Sequence, residues 1–173
     1  MIINKYSGYL IRFIAVTTLL LLTCSFGYAQ NPEGNEEQIL SSVESLFKAM
    51  KDKQYREIWL LLTDKTKESI IESVVKTSAK SAYPLTAEST RGDFQTGGPS
   101  AQAYWDAYIA NFNPDMVLQQ STWKLGKIKN NDAELIIQYR KAERPAVFKL
   151  KKEGGFWKTG LEETFGILKW ILK

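Results

Sequence analysis

The chain has 173 residues, 44% of them hydrophobic, with 23 basic and 19 acidic side chains, a single cysteine and no histidine. The missing histidine excludes Ser-His-Asp and Cys-His catalysis, histidine general bases and histidine-rich zinc sites. The lone cysteine cannot form an intrachain disulfide, and the length suits one domain with a single core.

The opening residues have the composition of a secretory leader. Lys5 and Arg12 precede an apolar run from Phe13 to Leu22, and Gly27-Tyr28-Ala29 sets small residues at the −3 and −1 positions of a cut before Gln30. The run is about ten residues, short of the roughly 20 that span a bilayer as a helix. A second cut competes with the first. Leu21-Leu22-Thr23-Cys24 resembles the lipobox of bacterial lipoproteins, although Thr23 stands where that pattern has Gly, Ala or Ser. The better-formed small-x-small site favours cleavage after Ala29 and an exported protein, periplasmic or secreted. Lipidation at Cys24 and anchoring to a membrane is the alternative. Removing 1–29 leaves 21 basic residues against 19 acidic ones, a charge of +2.

Residues 30–37 read as a polar arm, and 38–173 as the domain. Ile39, Leu40, Val43, Leu46, Phe47 and Met50 recur at helical spacing, with Asn35 as N-cap and Gln38 completing a capping box. Lys51 to Gln54 breaks the pattern. Tyr55, Ile58, Trp59 and Leu62 mark a short second helix. Thr63 or Asp64 caps a third, which buries Ile70, Ile71, Val74 and Val75. Residues 77–100, rich in Ser, Thr, Gly and Pro, predict a long loop, either a functional lid or a partly disordered segment. Ser100 then caps a helix bearing Tyr104, Tyr108 and Phe112 on one stripe, ended by Asn113-Pro114.

From Ser121 the period changes to two. Trp123 to Lys129 predicts a strand, with a turn at Asn130-Asn131-Asp132. Leu135, Ile137 and Tyr139 alternate with polar residues on the next, and Ala146, Phe148 and Leu150 on a third. Glu153-Gly154-Gly155 makes a hairpin turn, and Trp157, Thr159 and Leu161 continue on a fourth. Helices followed by an antiparallel meander predict an α+β domain, helices against one face of a curved sheet.

Two segments carry a resemblance. "SVESLFKAMKDKQYREIWLLLTDKTKESI" (Ser42 to Ile70) resembles the opening of nuclear-transport-factor-2-like domains, and "EGGFWKTGLEETF" (Glu153 to Phe165) resembles their last hairpin. The likeness points to the small exported or lipoprotein-type members of that superfamily. It implies a cone with N-terminal helices on the concave face of the sheet and a pocket between them. Enzymes of the superfamily place Asp, Tyr or His there, and no such residue is carried over by motif. The chemistry this chain can offer is Asp106 among Tyr104, Trp105 and Tyr108, with Tyr139 on a strand. A desolvated Asp106 beside tyrosine hydroxyls would serve as a general base; on the polar side of its helix it would simply face water.

Charge is uneven. Residues 30–123 hold 9 basic and 13 acidic side chains, residues 124–173 hold 12 and 6. A nucleic-acid face is not expected, for no recognition motif accompanies the lysines, which suit solvated strand positions and guarded sheet edges. The tail "FGILKWILK" concentrates apolar residues around Trp170, to close the sheet or to meet a partner, a second copy or a membrane surface. Two functions follow. The first is a non-enzymatic exported domain that binds a small apolar ligand through Tyr104, Trp105, Tyr108 and Tyr139, or an envelope protein, without metal or cofactor. The second is an isomerase- or dehydratase-like enzyme with an Asp/Tyr pocket.

Overall fold

A computed structural model of the protein describes residues 32–166. The leader, Cys24 and Trp170 lie outside the described residues. The architecture is α+β: α1 (Pro32–Lys51), α2 (Tyr55–Leu60), α3 (Asp64–Ser78), α4 (Ala87–Thr96), α5 (Pro99–Asn111) and α6 (Pro114–Gln120) precede β1 (Ser121–Lys129), β2 (Asp132–Tyr139), β3 (Ala146–Glu153) and β4 (Phe156–Gly160), and α7 (Leu161–Phe165) follows.

Helix α1 buries Ile39, Val43, Leu46, Phe47 and Met50, the face that its spacing predicts. It begins before the predicted cap, so the arm expected at 30–37 is helical from Pro32. Asn35 therefore sits inside the first turns. Its Oδ1 accepts from Lys152 Nζ at 3.2 Å and Trp157 Nε1 at 3.4 Å, so it ties α1 to the sheet instead of capping it. Farther along, the Ser42 hydroxyl donates to the Trp157 carbonyl at 2.8 Å, and Phe47 packs edge-on against Phe148 at 5.5 Å.

The loop expected over 77–100 is mostly helix. Thr86 and Ser89 form a reciprocal capping box for α4, which buries Thr90 and Phe94 one turn apart. Gly97, at φ 70°, ends α4 in the left-handed region that glycine adopts without strain. The carboxylate of Asp93 then accepts from Ala101 N at 2.8 Å and starts α5. Asn113-Pro114 does end α5, and Asn113 Oδ1 immediately caps α6 by accepting from Asp115 N and Met116 N at 2.9 and 3.3 Å.

The sheet is a four-stranded antiparallel meander in the order β1-β2-β3-β4. Ala133, Leu135 and Ile137 point inward beside Phe148, Leu150 and Trp157, while Glu134, Lys149 and Lys151 point outward. Leu161 does not extend β4; it opens α7. The β4 edge is instead closed by the α2–α3 junction. Thr159 N donates to Leu61 O at 2.8 Å and Thr63 N donates to Thr159 O at 3.1 Å. Among the described residues no helix is long and apolar enough to cross a membrane.

Candidate functional site

Helix α5 has two working faces. Ala101 and Trp105, one turn apart, point into the core and are fully buried. Ser100, Ala103, Tyr104, Ala107, Tyr108 and Asn111 recur at spacings of three, one, three, one and three, and form one wall of a cavity of about 860 Å³. The facing wall is α3, through Ser73, Val74, Thr77 and Ser78. Leu85, Phe112 and Phe165 close the remainder. Ala103 and Ala107 leave the space into which the neighbouring tyrosines expose their rings.

The cavity is walled mainly by helices, with Leu85 from a loop and Phe112 from just past the end of α5. Among the described residues no strand residue lines it, so it is not the sheet-and-helix pocket that the cone analogy implies. This separates the four residues singled out in the sequence. Tyr104 and Tyr108 line the cavity. Trp105 does not, because one step along the helix turns it about 100° away, into the core between Tyr104 and Tyr108 at 5.1 and 5.5 Å. Tyr139 does not either, since it ends β2 opposite Ser121.

The cavity's aromatic wall continues a chain of ring contacts. Trp59 meets Phe94 at 5.1 Å, Phe94 meets Tyr104 at 5.6 Å, Tyr108 meets Phe112 at 5.6 Å and Phe112 meets Phe47 at 5.7 Å. Phe47 leads to Phe148 and thence to Phe165 at 5.1 Å, back at the cavity. The rings are thus held by neighbours on both sides, which fixes the wall in place.

Its polar chemistry is neutral. Among the described residues the lining holds hydroxyl and amide side chains but no lysine, arginine, aspartate or glutamate. Burial raises the Tyr104 hydroxyl well above the usual phenol value, reinforced by Tyr108 and by the charge of Glu162. Burial alone raises Tyr108 in the same way. Both stay protonated at physiological pH. The Tyr104 hydroxyl is buried without a hydrogen-bond partner among the described residues.

Asp106 is on the opposite side of α5 from this lining. It is exposed, accepts from the Tyr55 hydroxyl at 2.8 Å and pairs with Lys53 Nζ at 3.0 Å. Lys53, then Tyr55, hold its carboxyl below the usual range. This is an exposed carboxylate on which desolvation is outweighed by its two partners, the reverse of what would make it a base in a pocket. A second concavity, of about 450 Å³, lies on the outer sheet face among Lys127, Lys129, Lys149 and Lys151, with Lys65 beside them. Asp132 and Glu134 lie between those lysines in the cross-strand register, and Asp132 pairs with Lys151 at 3.7 Å. The basic cast of the C-terminal half is thus partly neutralised within the sheet itself.

Three contributors, Phe165, Ala103 and Ala107, are not singled out by the sequence. Phe165 was hidden by its place after a presumed strand, and Ala103 and Ala107 by their size. The signal that would have found them is the pair of small residues each followed by tyrosine, four positions apart. Comparison with protein-family models, with curated proteins and with solved structures finds no match to this chain.

Proposed function

We propose that the protein is a non-enzymatic, exported binding domain whose helical cavity takes a small apolar ligand. The observation that carries this reading is the cavity of about 860 Å³ walled by Tyr104, Tyr108, Phe112 and Phe165, with no charged side chain in its lining among the described residues. Small-molecule sites are concave, mostly apolar and about 300–1,000 Å³ in volume, with a few neutral groups that orient the ligand. Tyrosine supplies rigid contact area and a polar tip. Catalysis by an Asp/Tyr pocket lacks its carboxylate, because Asp106 is committed to Lys53 and Tyr55 at the surface.

The proposal extends to compartment and kinship. The leader pattern before Gln30 supports export, and the helices-then-meander order is compatible with a nuclear-transport-factor-2-like domain. An envelope protein seated on the same aromatic wall is the alternative partner.

Titration of the full chain with the neutral dye N-phenylnaphthylamine tests the reading. Saturable binding to one site is expected, weakened by about tenfold or more in Ala103→Phe, which fills the cavity from its wall. Unsaturable binding, or binding that Ala103→Phe leaves intact, would contradict it.

A further inference from the structure

The outer face of the sheet carries positive charge and apolar surface together. Leu135, Phe148, Leu150 and Trp157 turn one face into the core, so strand alternation sets Lys149, Lys151 and Lys158 on the other, with Val147 and Phe156. One row of the register runs Lys129, Asp132, Lys151, Lys158 across all four strands. Another runs Lys124, Ile136, Val147 across three.

The four strands hold seven lysines, three acids and no arginine. Two of the acids are engaged within the chain. Asp132 pairs with Lys151 at 3.7 Å, and Glu153 Oε2 accepts from Asp64 N at 2.9 Å. Lys124, Lys127, Lys129, Lys149 and Lys158 form no ion pair among the described residues. The face keeps an excess of positive charge.

Apolar side chains stand among these lysines. Phe156 is 68% exposed, directly after the Gly154-Gly155 turn, and Lys158 Nζ lies 5.7 Å from its ring centroid. That turn adjoins the Asn130-Asn131 turn, for Lys152 N donates to Asn131 O at 2.8 Å. Exposed Leu60 borders the β4 edge, where its carbonyl accepts from Lys158 Nζ. Three of the five large apolar side chains exposed among the described residues, Leu60, Val147 and Phe156, thus gather with the lysines. Apolar surface of this kind marks a contact site.

The kind of cation narrows the partner. Arginine is the residue that grips carboxylates and phosphates bidentately, and lysine is depleted from protein–protein interfaces. A diffuse layer of anionic headgroups needs only point charges on flexible stems. A phenylalanine among them gains by entering the boundary between headgroups and acyl chains.

We infer that the outer sheet face docks on an anionic lipid bilayer, with Phe156 in the interface and Lys129, Lys149, Lys151 and Lys158 over the headgroups. The surface is distinct from the helical cavity, which no strand residue lines among the described residues.

The test is co-sedimentation of the full chain with vesicles of phosphatidylcholine, alone or mixed with phosphatidylglycerol. Binding should require phosphatidylglycerol and weaken at high salt. Lys129→Glu with Lys149→Glu should weaken it by about tenfold or more, and Phe156→Ser by about threefold. Lys76→Glu with Lys80→Glu, the same charge change at the end of α3 remote from β4, should weaken it far less. Residues 1–31 and 167–173 are common to all variants, so the differences report the sheet face. No preference for phosphatidylglycerol, equal losses in the two double variants, or binding that survives the sheet-face variants would overturn the inference and spare the cavity reading. Binding of polyglutamate without vesicle binding would give the face to an acidic protein, and a dimer dissolved by Phe156→Ser without vesicle binding would give it to a second copy. Either would overturn the inference.

Discussion

Arg91 donates to both carboxylate oxygens of Glu68, at 2.6 and 2.9 Å, and so fastens α4 to α3, the helix that forms one wall of the cavity. The geometry is bidentate, the pairing that guanidinium makes best and lysine cannot copy. Both side chains are partly exposed, which limits what the pair adds to stability. Arg91→Lys is expected to lower the urea midpoint slightly and to increase amide exchange in α4 more than elsewhere. An equal rise across all the helices would show that the pair is not a local fastening.

The same pair sets a pH dependence. Hydrogen bonding to Arg91 lowers the folded-state value of Glu68 below that of the unfolded chain. The contribution is therefore complete above the unfolded carboxylate value and fades as pH falls through the lowered folded value. Stability of the unmodified chain and of Arg91→Lys should converge on acidification. Measuring urea midpoints at neutral and acidic pH checks the sign.

Phe94 is fully buried, with Trp59 on one side and Tyr104 on the other. Phe94→Ala removes a ring that holds both the core and the cavity wall, and should cost about 3–5 kcal/mol. Equilibrium unfolding in urea reads this directly. A loss under about 1 kcal/mol would mean that α4 is only loosely attached.

The N-terminus of α4 depends on Thr86, which accepts from Ser89 N at 3.1 Å while Ser89 Oγ accepts from Thr86 N at the same distance. Thr86→Ala should destabilise the chain by about 1 kcal/mol, and Thr86→Asn, which retains an acceptor, by much less. Thermal unfolding of the two variants separates the cap from side-chain contacts.

These features also mark where the sequence was hard to read. The buried face of α1 and the alternation in β2 and β3 are legible, because Ile39 to Met50 and Ala133 to Leu150 keep one period over several turns or pleats. Helix α4 is not. Its ten residues include a glycine and only two buried side chains, and its capping box uses serine where Glu or Gln is usual. Its fold comes from tertiary contacts, Phe94 against Trp59 and Arg91 against Glu68, which no local pattern announces. The cavity is half legible. The Tyr104–Tyr108 stripe is visible at helical spacing, but Trp105 and Tyr139 share its chemistry and are separated from it by geometry. Phe165 joins the wall only because Leu161 opens a helix and does not prolong a strand.

Asp106 offers a direct check on the enzymatic alternative. Asp106→Asn removes the charge that pairs with Lys53 but touches no residue of the cavity wall by hydrogen bond. Ligand affinity should be unchanged, and the pKa of Lys53, which Asp106 raises, should fall back toward its ordinary value. A marked loss of binding would place Asp106 in the site after all.

The central claim is that the space beside Tyr104 and Tyr108 receives ligand, and ring resonances report on it most directly. We would titrate octanol into the full chain and follow the aromatic side chains by NMR. The account predicts saturable shifts, together with ligand-to-ring contacts, at Tyr104, Tyr108, Phe112 and Phe165, while Trp157 and exposed Phe156 stay still. Shifts confined to exposed rings such as Phe156 and Tyr83, or contacts at Trp157 in place of the tyrosines, would contradict it.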